Sequence, residues 1–207
     1  MVRGASCEYT EQYDHIVKKI LLIGGGGHCK SVIDVIEQEG RFSIAGIVER
    51  KSATTENILD YPLIGHDDEL YKLRQQFENA LVTIGQIKIN ESRINLFSLL
   101  KELKFKLPLI VSPHAFVSKH ALIGEGTIVM HHALVNAGAI IGMNCILNSK
   151  ALVEHGAVVE NNCHLATGSI INGEVSIGSG TFVGSGSVIR ECIKVGKNSV
   201  IAARSVV

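Results

Sequence analysis

From Val111 to the last residue, Val207, every sixth position is Val, Ile or Leu, seventeen positions without an exception. Four residues after most of them comes a small side chain: Ala115, Ala121, Thr127, Ala133, Ala139, Cys145, Ala151, Ala157, Cys163, Ser169, Thr181 and Ser187. A period of six matches neither the 3.6 of a helix nor the 2 of a simple strand. It fits a parallel β-helix of hexapeptide repeats, with each aliphatic pointing inward and each small residue at a corner. Three hexapeptides make one coil, so residues eighteen apart stack, and each coil buries its aliphatics on its neighbours. Such a core needs no large rings, in keeping with 5% aromatic residues and no Trp.

The first half has another grammar. Lys18–Ile23 is a lysine-led aliphatic run that ends in four glycines, 24–27, and His28. Residues 29–39 carry Val32, Ile33, Val35 and Ile36 at helical spacing and close at Gly40, which predicts a helix. A second strand is expected at 44–48, ending at Glu49 and Arg50, and a third at 80–84, ending at Gly85. Asp67 and Asp68 are expected to cap a helix running to residue 78, and Asn90 or Ser92 one running to about Lys104. Strands alternating with helices predict a small Rossmann-like parallel sheet. The expected division is a loose leader over 1–17, an α/β domain over 18–106 and a left-handed parallel β-helix over 107–207.

Twenty basic and twenty acidic residues cancel, so nothing in the charge calls for nucleic acid or a membrane surface as partner. No apolar run reaches the ~20 residues of a membrane span, and the polar first residues lack the apolar stretch of a signal peptide. Five cysteines (Cys7, Cys29, Cys145, Cys163, Cys192) are odd in number and form no CxxC pair. Free thiols in the cytoplasm are the expectation.

A glycine turn between a strand and a helix sets main-chain N–H groups and a helix N-terminus against phosphate. The dinucleotide fingerprint nevertheless fails, since Gly24 and Gly26 are followed by Cys29 where a third glycine belongs. No Gly-Lys-Ser/Thr follows either, so a phosphate or sugar-nucleotide site is expected rather than NAD. In the repeat half, Leu152–His164 holds two histidines outside the interior register, His155 and His164. By register alone they are solvated side chains, metal ligands or acid–base groups.

Four motifs, Gly-Gly-Gly-Gly-His at 24–28, Gly-Ile-Val-Glu-Arg at 46–50, Thr-Ile-Gly at 83–85 and Asn148 through His164, make residues 19–207 resemble one family. It is the family of sugar O- and N-acetyltransferases of the sialic-acid O-acetyltransferase and bacillosamine N-acetyltransferase type. The resemblance implies an N-terminal domain that binds a nucleotide sugar, a β-helix that binds acetyl-CoA, and a homotrimer with sites between neighbouring chains. It implies His155 as general base with Glu154 beside it. His164, Asn148, Gly173, Ser185 and Ala203 fall at acetyl-CoA, and Gly26, Gly27, His28, Glu49, Arg50 and Gly85 at the nucleotide sugar. No metal is implied. Two departures stand out. Many members have an acid directly after the catalytic histidine, where this chain has Gly156, and the family's Gly-Val-Pro-Ala-type motif does not occur before Val207.

The expected reaction is acetyl transfer from acetyl-CoA to the 4-amino group of a nucleotide-linked amino-deoxy sugar in polysaccharide biosynthesis. A histidine with a pKa near ~6.5 is suited to take the departing proton at neutral pH. Acetylation of a sialic acid or other sugar hydroxyl is the alternative within the family. Of other classes, a gamma-type zinc carbonic anhydrase would draw on His114, His120, His131, His132, His155 and His164, whose spacings make no compact three-ligand set. A non-catalytic β-helix scaffold would leave the glycine–histidine turn without a purpose. Cys163 sits at a small-residue position, which favours packing over a nucleophile.

Overall fold

The computed structural model describes residues 17–52, 57–86 and 91–207. Most of the expected leader, residues 1–16, lies outside them. β1 (Lys18–Ile23), α1 (Gly27–Glu39) and β2 (Phe42–Glu49) form the first βαβ unit. β3 (Asn57–Ile58) and β4 (Tyr61–His66) follow, then a single 3₁₀ turn, α2 (Leu70–Leu73), β5 (Asn79–Val82) and α3 (Glu91–Glu102). The sheet order is β3-β4-β2-β1-β5, parallel except for the β3–β4 pair.

Two expectations are corrected here. The helix expected from Asp67 to residue 78 shrinks to a 3₁₀ turn over Asp67–Glu69 and the four residues of α2. Its start is fixed by Glu69, whose carboxylate accepts from the His66 N–H at 3.1 Å, not by an aspartate cap. Ser92 lies inside α3 rather than capping it, and Asn90 lies outside the described residues. The strand Tyr61–His66 had no clear signature, because Pro62 and Gly65 interrupt its alternation.

From Ile110 the chain winds into a left-handed β-helix of sixteen two-residue strands in three parallel sheets. The first face stacks six strands, Ile110–Val111 to Val200–Ile201, in eighteen-residue steps. The second runs from Phe116–Val117 to Val188–Ile189, the third from Leu122–Ile123 to Lys194–Val195. The second residue of most strands is buried in one continuous core with the small corner residues. Two-residue strands demand a sharp corner every six residues. Correspondingly, fourteen positions from Gly126 to Arg204, in steps of six, have left-handed backbone. Six are Gly and three Asn, the residues that tolerate it best; His132, Lys150, Glu174, Cys192 and Arg204 bear a steric cost there.

Helix α1 is the hinge of the architecture. Its buried face (Cys29, Val32, Ile33, Val35, Ile36) packs with Ile20, Leu22 and Ile47 of the sheet. The same cluster takes in the outward residues Ile110, Ile128 and Ile146 of the first face. The two domains therefore share one apolar core, and the loop at the head of α1 is held against the coils.

Candidate active site

The turn after β1 is built to expose main chain. Gly24 sits at φ +109°, and an added Cβ would lie 2.4 Å from Ile84 Cγ1, so no larger residue fits. The Gly24 carbonyl accepts from Thr83 Oγ1 at 2.6 Å, and the Gly25 N–H donates to Glu49 Oε2 at 2.8 Å. Helix α1 then starts at Gly27 with Gly26 as a cap that offers no side chain, and its first turn carries no acid. The first N–H groups of the helix and the positive end of its dipole are thereby left for a ligand.

They open on a cleft of about 910 Å³, within the range of small-molecule sites. Its walls come from both domains. The glycine turn and His28 face Glu49, Arg50 and Asp67 across the ends of β2 and β4, with Gly85 and Gln86 after β5. Asn148 and His164 close it from the β-helix. All six residues assigned to the nucleotide sugar thus meet in one place, together with two of the five assigned to acetyl-CoA. Ser31, Asp67, Gln86, Ser92 and Leu96 line the cleft as well; of these the local sequence marked only Asp67 and Ser92, and those as helix caps rather than as site residues. Burial, followed by the charges of Glu49 and Asp68, pushes the Asp67 carboxyl up.

Behind the cleft lies a residue the sequence concealed. Arg93 of α3 is 1% exposed. It donates to the carbonyls of Asn144 and Asn162 and, at 2.6 Å, to Gln86 Oε1. Gln86 in turn donates to the Gly180 carbonyl at 3.1 Å. Asn144, Asn162 and Gly180 occupy the same corner of three successive coils, so α3 and the segment after β5 staple three coils together. Gln86 also offers its own carbonyl to His164 Nδ1 at 2.7 Å. Burial, and secondly Arg93, hold the His28 pKa down at about 4. Burial, then His28, bring that of His164 to about 3.

His155 is placed elsewhere. In a three-sided prism the corner between the second and third faces is opposite the first face, which carries the cleft. His155 stands exposed on that far corner. Its ring lies against Gly173, one coil on, where an added Cβ would come 2.7 Å from Cε1 and 3.0 Å from Nε2. Glu154 turns its carboxylate to the main chain and to the coil before: Oε2 accepts from Asn136 Nδ2 at 2.8 Å and from the His155 N–H at 3.2 Å. That makes it a brace for the corner. The carboxylate of the exposed Glu174 lies 2.1 Å from where a Cβ of residue 156 would be, and Gly156 has φ +67°, so a side chain there would displace that carboxylate and strain the backbone. Ser185 and Ala203 stack in eighteen-residue steps with Ser149 and Thr167 on the corner between the first and second faces, and neither lines the cleft. Within one chain, the far-corner group and the cleft group do not meet.

Three other histidines, His114, His131 and His132, lie together on the coils. His131 bridges Asp34 Oδ2 and Ser112 Oγ, both at 2.6 Å, tying α1 to the coils. His114 packs its ring against His131 and His132. Among the described residues no three His, Cys, Asp or Glu side chains are grouped to hold a metal ion, and no helix is long and apolar enough to cross a membrane. Cys29, Cys145 and Cys163 are buried free thiols and Cys192 an exposed one.

Comparison with known proteins follows the same division. The PglD N-terminal domain family matches residues 19–97. The succinyl-transferase hexapeptide repeat matches 133–172 and the bacterial transferase hexapeptide 174–207. A solved perosamine N-acetyltransferase from Caulobacter crescentus, in complex with CoA and GDP-perosamine, is 32% identical. The match covers 92% of this chain and 89% of that one, with a TM-score of 0.86. The acetyltransferase domain of PglB from Neisseria gonorrhoeae, in complex with acetyl coenzyme A, is 30% identical over 90% and 88% of the two chains, TM-score 0.83. The curated UDP-N-acetylbacillosamine N-acetyltransferase of Bacillus subtilis is 31% identical over 114 residues. That stretch is 55% of this chain and about half (52%) of that relative's length. With its glycine-turn domain fused to hexapeptide coils and a relative matched over nearly its whole length, the chain belongs to the PglD-type family of hexapeptide-repeat sugar acetyltransferases.

Proposed function

We propose that the protein transfers the acetyl group of acetyl-CoA to the 4-amino group of a nucleotide-linked amino-deoxy sugar, at a site that two neighbouring subunits of a homotrimer complete. The observation that carries this reading is the cleft itself. An uncapped helix N-terminus and a glycine turn, suited to phosphate, open directly beside Asn148 and His164 of the coils. The similar perosamine N-acetyltransferase of Caulobacter crescentus binds CoA and GDP-perosamine.

The far corner supplies the second half. One and two coils before His155, the second and third faces carry apolar side chains in the open: Phe116 is 59% exposed and Leu122 66%, with Ile140 stacked on Leu122. A wedge with an apolar flank and a histidine at its tip is suited to pack against the next subunit and present His155 at that subunit's cleft. There the uncharged amine of the sugar attacks the thioester carbonyl. The C–N bond forms, the C–S bond breaks, CoA leaves through its sulfur, and His155 takes the proton from nitrogen. In this reading the main-chain N–H of Gly173, next to the ring, donates to the developing oxyanion. The reaction needs neither a covalent acyl-enzyme nor a metal, and the setting is the cytoplasm.

The test is CoA release from acetyl-CoA with a panel of UDP-, GDP- and dTDP-linked 4-amino sugars, each with wild type and His155→Ala. The expected outcome is turnover with one nucleotide class, lowered by about 10²–10⁴ in the variant. Full kcat in His155→Ala would remove His155 as base, and silence across the panel would remove the substrate class. Light scattering checks the trimer.

A further inference from the structure

We propose that Gln86 and Arg93 are positioning residues that hold His164 as its Nδ1–H tautomer, so that Nε2 faces the cleft as an acceptor for an N–H or O–H of bound substrate. The inference rests on the cleft being the substrate site, as proposed above.

The tautomer follows from one contact. His164 Nδ1 lies 2.7 Å from the Gln86 carbonyl oxygen, and a carbonyl only accepts, so the proton is on Nδ1. In the neutral ring Nε2 is then a bare lone pair. Asn148 confirms the polarity of its surroundings. Its Oδ1 accepts from the Ser149 N–H at 2.7 Å, which turns the amide N–H₂ toward the ring. The resulting approach of Nδ2 to Nε2 is 3.5 Å, long for a hydrogen bond, leaving the acceptor open to a better donor. Phe182 packs edge-on against the ring at 5.2 Å and fixes its tilt.

The Gln86 carbonyl is not left to a loose loop. The Gln86 side chain is 4% exposed and clamped at both ends: Oε1 accepts from Arg93 and Nε2 donates to Gly180. Arg93 is itself clamped to two coils. The chain Asn144/Asn162–Arg93–Gln86–His164 therefore transmits the rigidity of the β-helix to one imidazole nitrogen. Arg93 adds a second effect, since its charge and that of a protonated His28 both oppose protonation of His164. A protonated ring would present a donor at Nε2 and repel the incoming N–H or O–H. The arrangement makes His164 a fixed acceptor, a role separate from the proton-accepting role of His155.

The experiment is long-range proton–nitrogen correlation NMR on the full-length protein labelled with ¹⁵N-histidine, with the His164 signals identified by their loss in His164→Phe. Wild type at neutral pH should show protonated Nδ1 and bare Nε2. In Arg93→Met and in Gln86→Leu, which keeps Arg93, the pattern should shift toward Nε2–H or an exchanging mixture. In parallel, KM for one substrate should rise about tenfold, the worth of one hydrogen bond, with kcat within about twofold. Arg93→Lys should recover part of the loss. A wild-type ring protonated on Nε2, or variants that fold yet keep the wild-type pattern, would overturn the proposal. Should Arg93→Met fail to fold, the wild-type spectrum and Gln86→Leu decide it. Because the tautomer is read without turnover, a correct pattern in a protein inactive on every sugar nucleotide would refute the functional reading and leave the positioning intact.

Discussion

Substituting Gly173 by alanine is the sharpest probe of the far corner. The new methyl carbon would sit 2.7 Å from His155 Cε1, 3.0 Å from Nε2 and 3.4 Å from Nδ1. Carbon atoms pack at about 3.5–4.0 Å, so the ring must withdraw by about 1 Å. Gly173 is not among the left-handed positions, hence alanine brings no backbone strain, and it lowers the entropy of the unfolded chain by an amount worth ~0.4–1 kcal/mol. The ring is exposed and free to swing, so the melting temperature should stay within a few degrees of wild type. Displacing a proton acceptor by ~1 Å, by contrast, costs on the order of 10² in kcat. The assay is acetyl transfer to the nucleotide-linked amino sugar, measured for Gly173→Ala, His155→Ala and the double variant. If the alanine acts through the ring, the double variant is no slower than His155→Ala alone. Two results would refute the reasoning: wild-type kcat in Gly173→Ala, or a loss in the double variant equal to the product of the single losses.

Three further outcomes can be checked. His28 and His164 have folded pKa values of about 4 and 3, below the ~6.5 of the unfolded chain. Their contribution to stability is therefore complete above pH ~6.5 and is lost as pH falls toward the folded values, because the unfolded state binds protons that the folded state refuses. Urea midpoints should drop between pH 6.5 and 4, and His164→Phe should flatten that limb. Gly24→Ala, which sets a methyl 2.4 Å from Ile84 at φ +109°, should destabilise by about 2–4 kcal/mol in denaturant melts. Phe116→Glu with Leu122→Glu should shift light scattering from trimer to monomer, abolish turnover, and leave nucleotide-sugar binding by calorimetry intact.

What the sequence disclosed, and what it hid, divides by the range of the interaction. The six-residue period is a local rule repeated in every coil, so the interior from Val111 onward could be read off residue by residue. Eighteen-residue arithmetic even places Gly173 over His155 and Glu174 over Gly156. Strand β1 and helix α1 were equally plain, from an aliphatic run and a helical period. Arg93 was invisible because a lone arginine on a helix normally points to water; the carbonyls of Asn144 and Asn162 on distant coils, with the Gln86 amide oxygen, help make its burial tolerable. Gln86 and Asp67 join the cleft through sheet topology, which no short window contains. A helix was expected over α2, but its early end escaped for a related reason: the chain must turn back after Leu73 to place β5 beside β1.

The staple of Arg93 and Gln86 also bears on how the molecule comes apart. A β-helix is close to a one-dimensional chain, each coil touching only the next, so its ends can fray without disturbing the middle. Bonds from α3 and its preceding segment to Asn144, Asn162 and Gly180 span 51, 69 and 94 residues of sequence. They make those three coils open together with the α/β domain, as one cooperative unit. The coil from Phe182 to Val200 lies beyond the staple. Its amides should exchange with solvent through smaller, independent openings, while those of the stapled coils exchange only when the whole unit unfolds.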